Sequence, residues 1–378
     1  MLEENTVVIH NKTDKPKNVV EREDKIEADC EDLKKQLPSF LRGFYMYLNR
    51  SVLPMTKLSY LREVKFFFNY LKNEHIFEVD DIKEITAKDL NTLKSQDINM
   101  FIDYCRRYEV AGKNKTEVFT NQNSALSHKK STCSVLFKYL YRDGFVEKNI
   151  TDGFDPIRMP KPGEREIKAL KDDEVMIMLD AVITGNGLTG HEKSYWQKTK
   201  ARDKLILLLL VTYGLRLSEL QQLNISSFNF DRGEFKIYRK RGKESIMPIN
   251  KTISDAFSDY VNLERIPDDE LTEENKDALL LSLRGTRLTD RQIREIVKKY
   301  TSIAMGTSHR DGYSPHKLRA TAATSLIGRG NSIYDVQELL DHDNVTTTQL
   351  YAQHKLNTKR ELIKNFEWGE DLENKENE

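Results

Sequence analysis

The stretch Leu205-Ile206-Leu207-Leu208-Leu209-Leu210-Val211-Thr212-Tyr213-Gly214-Leu215-Arg216-Leu217-Ser218-Glu219-Leu220 opens with the densest apolar run of the chain. The apolar run that opens this stretch is too short to span a bilayer, so it reads as a buried helix over Asp203–Tyr213. Gly214 is a suitable stop for that helix. A second helix over Leu217–Leu223 turns Leu217, Leu220 and Leu223 inward. Arg216 therefore falls in a tight corner between two helices, where a buried face forces its side chain into a defined direction.

Downstream, from Phe228 to Ile249, the period changes to two. Phe235 and Ile237 alternate with Lys236 and Tyr238, and Asp231-Arg232-Gly233 and Arg241-Gly242 are turn signals. These predict a small antiparallel sheet of about three strands, with Lys240 beside the second turn. A helix over Ile253–Leu263, an acidic loop, Leu279–Leu283 and a helix from Asp290 to about Tyr300 follow. Ser314-Pro315 predicts a helix start, an oxygen cap with Pro at N1. His316 and Arg319 are then i and i+3 on its first turn, where free N–H groups also face any bound anion. A further helix over Ile333–Leu340 leads to His342, and Tyr351 follows nine residues later beyond the Thr346–Thr348 turn. Leu362, Ile363, Phe366 and Trp368 form an amphipathic piece in the tail.

Upstream, residues 1–34 are polar and without periodicity, which predicts an acidic, flexible arm. Phe40, Phe44, Tyr47 and Leu48 begin a helix. Leu61, Val64, Phe68 and Leu71 mark a second, Ile98, Phe101, Ile102 and Cys105 a third after Ser95, and Leu126, Cys133, Leu136, Phe137 and Leu140 a fourth that stops at Gly144. With no strand signal, residues 35–154 read as a helical bundle whose aromatic stripe is core. Residues 155–168 are a basic linker, with Pro156, Pro160 and Pro162 excluding helix. Residues 169–356 form the second domain, and 357–378 a tail. A polar insert over residues 185–200, holding Trp196, has no assigned role. The fold class is mainly α with a small antiparallel β-sheet, an α+β arrangement of two domains.

A formal net charge of zero hides an uneven distribution. Residues 1–34 hold ten acidic and six basic side chains, and residues 361–378 hold seven and two; the body between carries 52 basic against 43 acidic. A basic body permits a polyanionic partner. No apolar run reaches 18 residues and no signal peptide opens the chain, so no membrane partner is expected. Cys30, Cys105 and Cys133 are widely spaced and fit neither a zinc pattern nor a disulfide framework, which predicts a reducing, cytoplasmic setting.

Arg216, Lys240, His316, Arg319, His342 and Tyr351 together can attack a phosphodiester without a metal or other cofactor. Two guanidiniums hold both non-bridging oxygens and neutralise charge developing in the transition state. A lysine protonates a leaving oxygen, histidines donate hydrogen bonds or relay a proton near neutral pH, and a tyrosine serves as covalent nucleophile.

From about residue 170 to 355 the chain resembles the catalytic domain of the tyrosine recombinases, specifically the Xer-type recombinases and phage-type integrases. The Gly-Leu-Arg-x-Ser-Glu-Leu box matches Gly214–Leu220 and gives Arg216 the role of first arginine. The hairpin segment Arg239-Lys240-Arg241-Gly242-Lys243 places Lys240 as the active lysine, with Lys243 as fallback. His316 and Arg319 match His-x-x-Arg, His342 the second histidine and Tyr351 the nucleophile. The resemblance implies attack by Tyr351 on the scissile phosphate, giving a 3′-phosphotyrosine and a free 5′-hydroxyl without ATP. Arg216, Arg319 and His342 then hold the phosphate, Lys240 is general acid and His316 assists proton transfer. It also implies that residues 35–154 are a core-binding domain clamping double-stranded DNA at a specific recombination site together with the catalytic domain. A tetramer on DNA, a tail docking on a neighbouring subunit, and a second recombinase or accessory protein belong to the same implied plan. The role is Xer-like chromosome-dimer resolution or mobile-element integration and excision; residues 1–34 are too short and acidic for an extra arm-site domain, which tilts the expectation toward the simpler systems.

Two positions and the insert over residues 185–200, longer than in the compact members, depart from the family pattern. Ala320 stands where a histidine often follows the arginine, which predicts a packing difference. Asp341 replaces the usual Gly before His342 and is expected either to pair with that histidine or to face solvent. The competing readings are a type IB topoisomerase-like DNA-relaxing enzyme and a catalytically silent DNA-binding relative.

Overall fold

A computed structural model describes residues 15–111, 116–160, 167–239 and 242–341. The chain divides into two compact units, residues 1–160 and 161–378, with the division in the Pro-rich segment.

The first unit is built on α1 (Lys17–Gln36), α2 (Arg42–Ser51), α3 (Pro54–Asn73), α4 (Ala87–Thr92), α5 (Ser95–Tyr104) and α6 (Asn123–Arg142). Pro54 follows the break after α2 and stands in the first turn of α3, where a proline gives up no helical hydrogen bond. The aromatic stripe is core: Phe44, Phe67, Phe68, Phe101 and Phe137 are all essentially inaccessible. Phe67 and Phe101 meet edge to face with centroids 4.9 Å apart, the preferred geometry for ring quadrupoles.

Two expectations for this unit are corrected. The second half of the stretch read as a flexible arm is α1, a 20-residue helix. Its apolar residues are sparse, but Val19 and Cys30 are buried, and Glu27 reaches Lys57 of α3 at 2.6 Å. The bundle also carries a two-stranded hairpin, β1 (Arg107–Ala111) and β2 (Thr116–Thr120), in antiparallel register with Tyr108 opposite Phe119. Nearly every residue of both strands is exposed, so no apolar-polar alternation announces them.

The second unit is centred on α9 (Lys200–Tyr213). Leu205, Ile206, Leu207, Leu209 and Leu210 are fully buried, so the helix is covered on all sides, as its uniformly apolar sequence requires. Around it pack α7 (Asp172–Thr184), α11 (Lys251–Leu263), α12 (Asp290–Met305) and α13 (Pro315–Gly328). The short α10 (Leu217–Gln221) follows α9 directly, and α14 (Ile333–Leu340) packs on α13. The three-stranded antiparallel sheet is β3 (Phe228–Asn229), β4 (Glu234–Tyr238) and β5 (Glu244–Pro248), in that order, with Phe235 opposite Met247. Phe235 and Ile237 face the core and Lys236 faces solvent, as the alternation predicts.

The insert over residues 185–200, to which the sequence assigns no role, carries a short helix. Thr189 and Glu192 form a reciprocal capping box that starts α8 (Gly190–Trp196). Trp196 then donates its indole N–H to the Val182 carbonyl at 2.8 Å and packs against the core. Among the described residues, no helix is long and apolar enough to cross a membrane.

Candidate active site

The corner after α9 is made by a left-handed residue. Gly214 has φ +60°, and a Cβ there would lie 2.5 Å from Leu340 Cδ2 and 3.4 Å from Arg319 Cγ. Only glycine meets both demands, so α9 can end against α13 and α14. Arg216 then occupies the N-cap position of α10. Buried Glu219 holds it twice: one carboxylate oxygen accepts the Arg216 backbone N–H at 2.8 Å, the other accepts Nη1 at 2.7 Å. The glutamate of the motif is therefore a positioning group, a role that sequence reasoning left unassigned.

Three arginines from distant segments converge on the C-terminus of α14. Arg239 Nη2 donates to the Leu339 carbonyl at 2.7 Å. Arg319 Nη2 donates to the Leu340 carbonyl. Arg216 Nη2 donates to the Asp341 carbonyl at 2.9 Å. Helix ends leave carbonyls without intrahelical partners and carry partial negative charge, which is why cations gather there. Arg319 is buried and also donates Nη1 to the Gly214 carbonyl at 2.7 Å, tying the end of α9 to the end of α14. Sequence-predicted Arg216 and Arg319 are thus brought together, although 103 positions separate them in the chain.

Arg239 was not foreseen as a site residue. It closes the β4–β5 hairpin, with its backbone N–H donating to the Lys243 carbonyl at 2.8 Å. Its side chain is only 6% exposed. Burial lowers its pKa, Glu219 and Asp341 oppose that fall and Arg216 adds to it.

Asp341 caps α14 in the left-handed conformation, φ +51°. That backbone explains why glycine is usual here, and aspartate is among the few side chains that tolerate it. The solvent-facing expectation is overturned: Oδ1 accepts Lys243 Nζ at 2.9 Å, and Oδ2 lies 3.8 Å from both Arg216 Nη1 and Arg239 Nη1. Burial raises the Asp341 pKa, but the Lys243 hydrogen bond and the charges of Arg239, Lys243 and Arg216 outweigh it, and the net shift is down. Its expected pairing with His342 lies outside the described residues.

His316 stands in the first turn of α13 after Pro315 at N1; Ser314 holds the N-cap position but its hydroxyl makes no capping hydrogen bond, contrary to expectation. His316 keeps a solvent-exposed surface. Partial desolvation lowers its pKa, and the nearby cations Lys317, Arg319 and Arg216 lower it further. The neutral ring is favoured at neutral pH, as a proton acceptor requires. Ala320 is buried in a small cluster with Ala323, Ile327, Val336 and Leu340. Lys240, His342 and Tyr351 lie outside the described residues. Among those described, no three His, Cys, Asp or Glu side chains are grouped to hold a metal ion.

Arg216, Arg239 and Arg319 thus form a cationic collar at a helix end, on a helical unit with a three-stranded sheet. Residues 168–358 match the phage integrase family, and the chain belongs to it. It is 27% identical over 319 residues to tyrosine recombinase XerC of Oceanobacillus iheyensis, covering 84% of this chain and 92% of that protein. Its fold is similar to that of the XerH site-specific recombinase bound to palindromic difH substrate, with a TM-score of 0.57 and 16% identity over 91% of this chain and 94% of that one. It is also similar to the Tn1549 transposon integrase in complex with circular intermediate DNA, with a TM-score of 0.54 and 18% identity over 89% of this chain and 98% of that one.

Proposed function

We propose that this protein is a site-specific DNA recombinase that cleaves and rejoins strands through a covalent 3′-phosphotyrosine at Tyr351. The observation that carries this reading is the convergence of Arg216 and Arg319 on the residues immediately before His342. In the proposed reaction the Tyr351 oxygen attacks the scissile phosphorus while the bond to the 5′-oxygen breaks. The tyrosyl proton passes to neutral His316, and Lys240 protonates the leaving 5′-oxygen, with Lys243 as its fallback. Arg216, Arg319 and His342 hold the non-bridging oxygens and stabilise charge developing on them. Attack by a 5′-hydroxyl on the phosphotyrosine reverses the sequence and conserves the phosphodiester bond energy.

Double-stranded DNA is the substrate. We assign residues 35–154, extended at their start by α1, as the core-binding domain, 155–168 as the linker, 169–356 as the catalytic domain and 357–378 as the subunit-docking tail. The working form is a tetramer on a specific site, with a second recombinase or accessory protein as further partners. The Xer-like role is the first reading, because the XerC relative aligns over most of both chains. The test is a nicked suicide duplex carrying the bound site, located by footprinting. Wild type forms a denaturation-resistant adduct and Tyr351→Phe forms none; an adduct with the Phe variant overturns the assignment. Relaxation of supercoiled plasmids lacking any specific site would favour the topoisomerase reading instead.

A further inference from the structure

We propose that Arg239 is an additional phosphate-holding guanidinium of this active site, and that the Asp341 carboxylate occupies the phosphate position until DNA displaces it. This rests on the strand-transferase reading above and names a residue and a competitor that reading does not contain.

The first observation is an unmatched buried cation. Arg239 Nη2 is satisfied by the Leu339 carbonyl, but Nε and Nη1 have no hydrogen-bond acceptor among the described residues. Buried donors without acceptors are uncommon because they lose hydration and gain nothing in return. The nearest carboxylate oxygen, Asp341 Oδ2, is 3.8 Å from Nη1, too far for a hydrogen bond. Glu219 is already committed to Arg216.

The second observation is Asp341 itself. Its backbone sits in a conformation that glycine adopts freely and aspartate adopts at a cost, so the helix end has no need of this side chain. What the side chain adds is one negative charge among Arg216, Arg239 and Lys243. Glu219 pairs with Arg216, and among the described residues Asp341 alone then faces Arg239 and Lys243, so positive charge remains in excess. A phosphodiester presents two oxygens on one centre, as a carboxylate does, and can draw on the Nε and Nη1 donors that Asp341 leaves unused. Displacement frees Asp341 to keep its Lys243 contact at the exposed rim, where Lys243 is well solvated.

The experiment titrates inorganic phosphate into the full-length protein at neutral pH, read by calorimetry. Asp341→Gly, which suits the left-handed backbone, should tighten phosphate binding about tenfold, the size expected for one coupled charge. Adding Arg239→Gln should abolish that gain. Arg239→Lys, which keeps the charge but loses the planar fork, should abolish most of it while leaving the melting temperature of the Asp341→Gly protein unchanged. The proposal is overturned if Asp341→Gly binds phosphate no more tightly than wild type, or if the gain survives both Arg239 substitutions. Phosphate binding is read without strand cleavage. Absence of a Tyr351 adduct alongside the predicted phosphate response would therefore strike the nucleophile assignment alone.

Discussion

The second unit buries an arginine beside an aspartate in two places, and the two are matched differently. Asp203, inaccessible on α9, accepts Arg202 Nε at 3.1 Å and Nη2 at 2.8 Å on one oxygen. Its other oxygen accepts Lys299 Nζ at 3.1 Å and the Tyr300 hydroxyl at 3.2 Å. Arg202 Nη1 finds the Leu281 carbonyl at 2.9 Å. Both oxygens of that carboxylate are engaged, and the network ties α9 to α12. At the end of α14, the Asp341 carboxylate makes one hydrogen bond among the described residues, to Lys243, and stands 3.8 Å from Nη1 of both Arg216 and Arg239. Buried charge that is fully paired fixes a fold, whereas buried positive charge left in excess is what a site for an anion requires.

The largest effect expected from this contrast is on stability. Asp203→Ala strands Arg202 and Lys299 without their shared carboxylate and should cost about 3–5 kcal/mol in denaturant unfolding of the second unit. Gly214→Ala should come next, at about 2 kcal/mol, because it combines a left-handed backbone with a clash on Leu340. Melting temperature checks this, and adduct formation should fall with it because the α9 corner sets Arg216. Glu219→Gln should leave the melting temperature close to wild type and slow adduct formation about tenfold, as loss of an orienting partner does. A Glu219→Gln protein that cleaves at the wild-type rate would mean that Arg216 needs no such support.

The smallest effect concerns pH. His316 has a folded pKa below its unfolded value, so the unfolded chain binds the proton more readily. Stability should therefore decline as pH falls through the unfolded value near 6.5, and the loss should be complete below the folded value. His316→Gln should flatten that part of the profile, measured as melting temperature against pH. An unchanged slope would place the acid sensitivity elsewhere.

Much of this architecture is legible in the residues. The all-apolar run of α9, the Ser-Pro start of α13, the period-two stretch of the sheet and the span of α14 each follow from local patterning. α1 escapes because Val19, Cys30 and Leu37 are too widely separated by charge to look periodic, and its stability comes from packing on α3. The β1–β2 hairpin escapes because neither of its faces is buried. Within the site, Arg216, His316 and Arg319 are legible from motif spacing. Arg239 is not, since its partner is a backbone carbonyl 100 positions away that any residue could supply. Asp341 is visible only as a departure from the usual glycine. Its significance needs the positions of Arg216, Arg239 and Lys243 in space.

The most direct test of the central claim is chemical. The wild-type adduct with a nicked suicide duplex is digested and its nucleotide-bearing peptide sequenced by mass spectrometry. A single modified residue is expected, Tyr351 joined to a 3′-phosphate, with yield greatly reduced by Arg216→Ala or Arg319→Ala. A 5′-linkage, attachment at any other residue, or full yield without either arginine would contradict it.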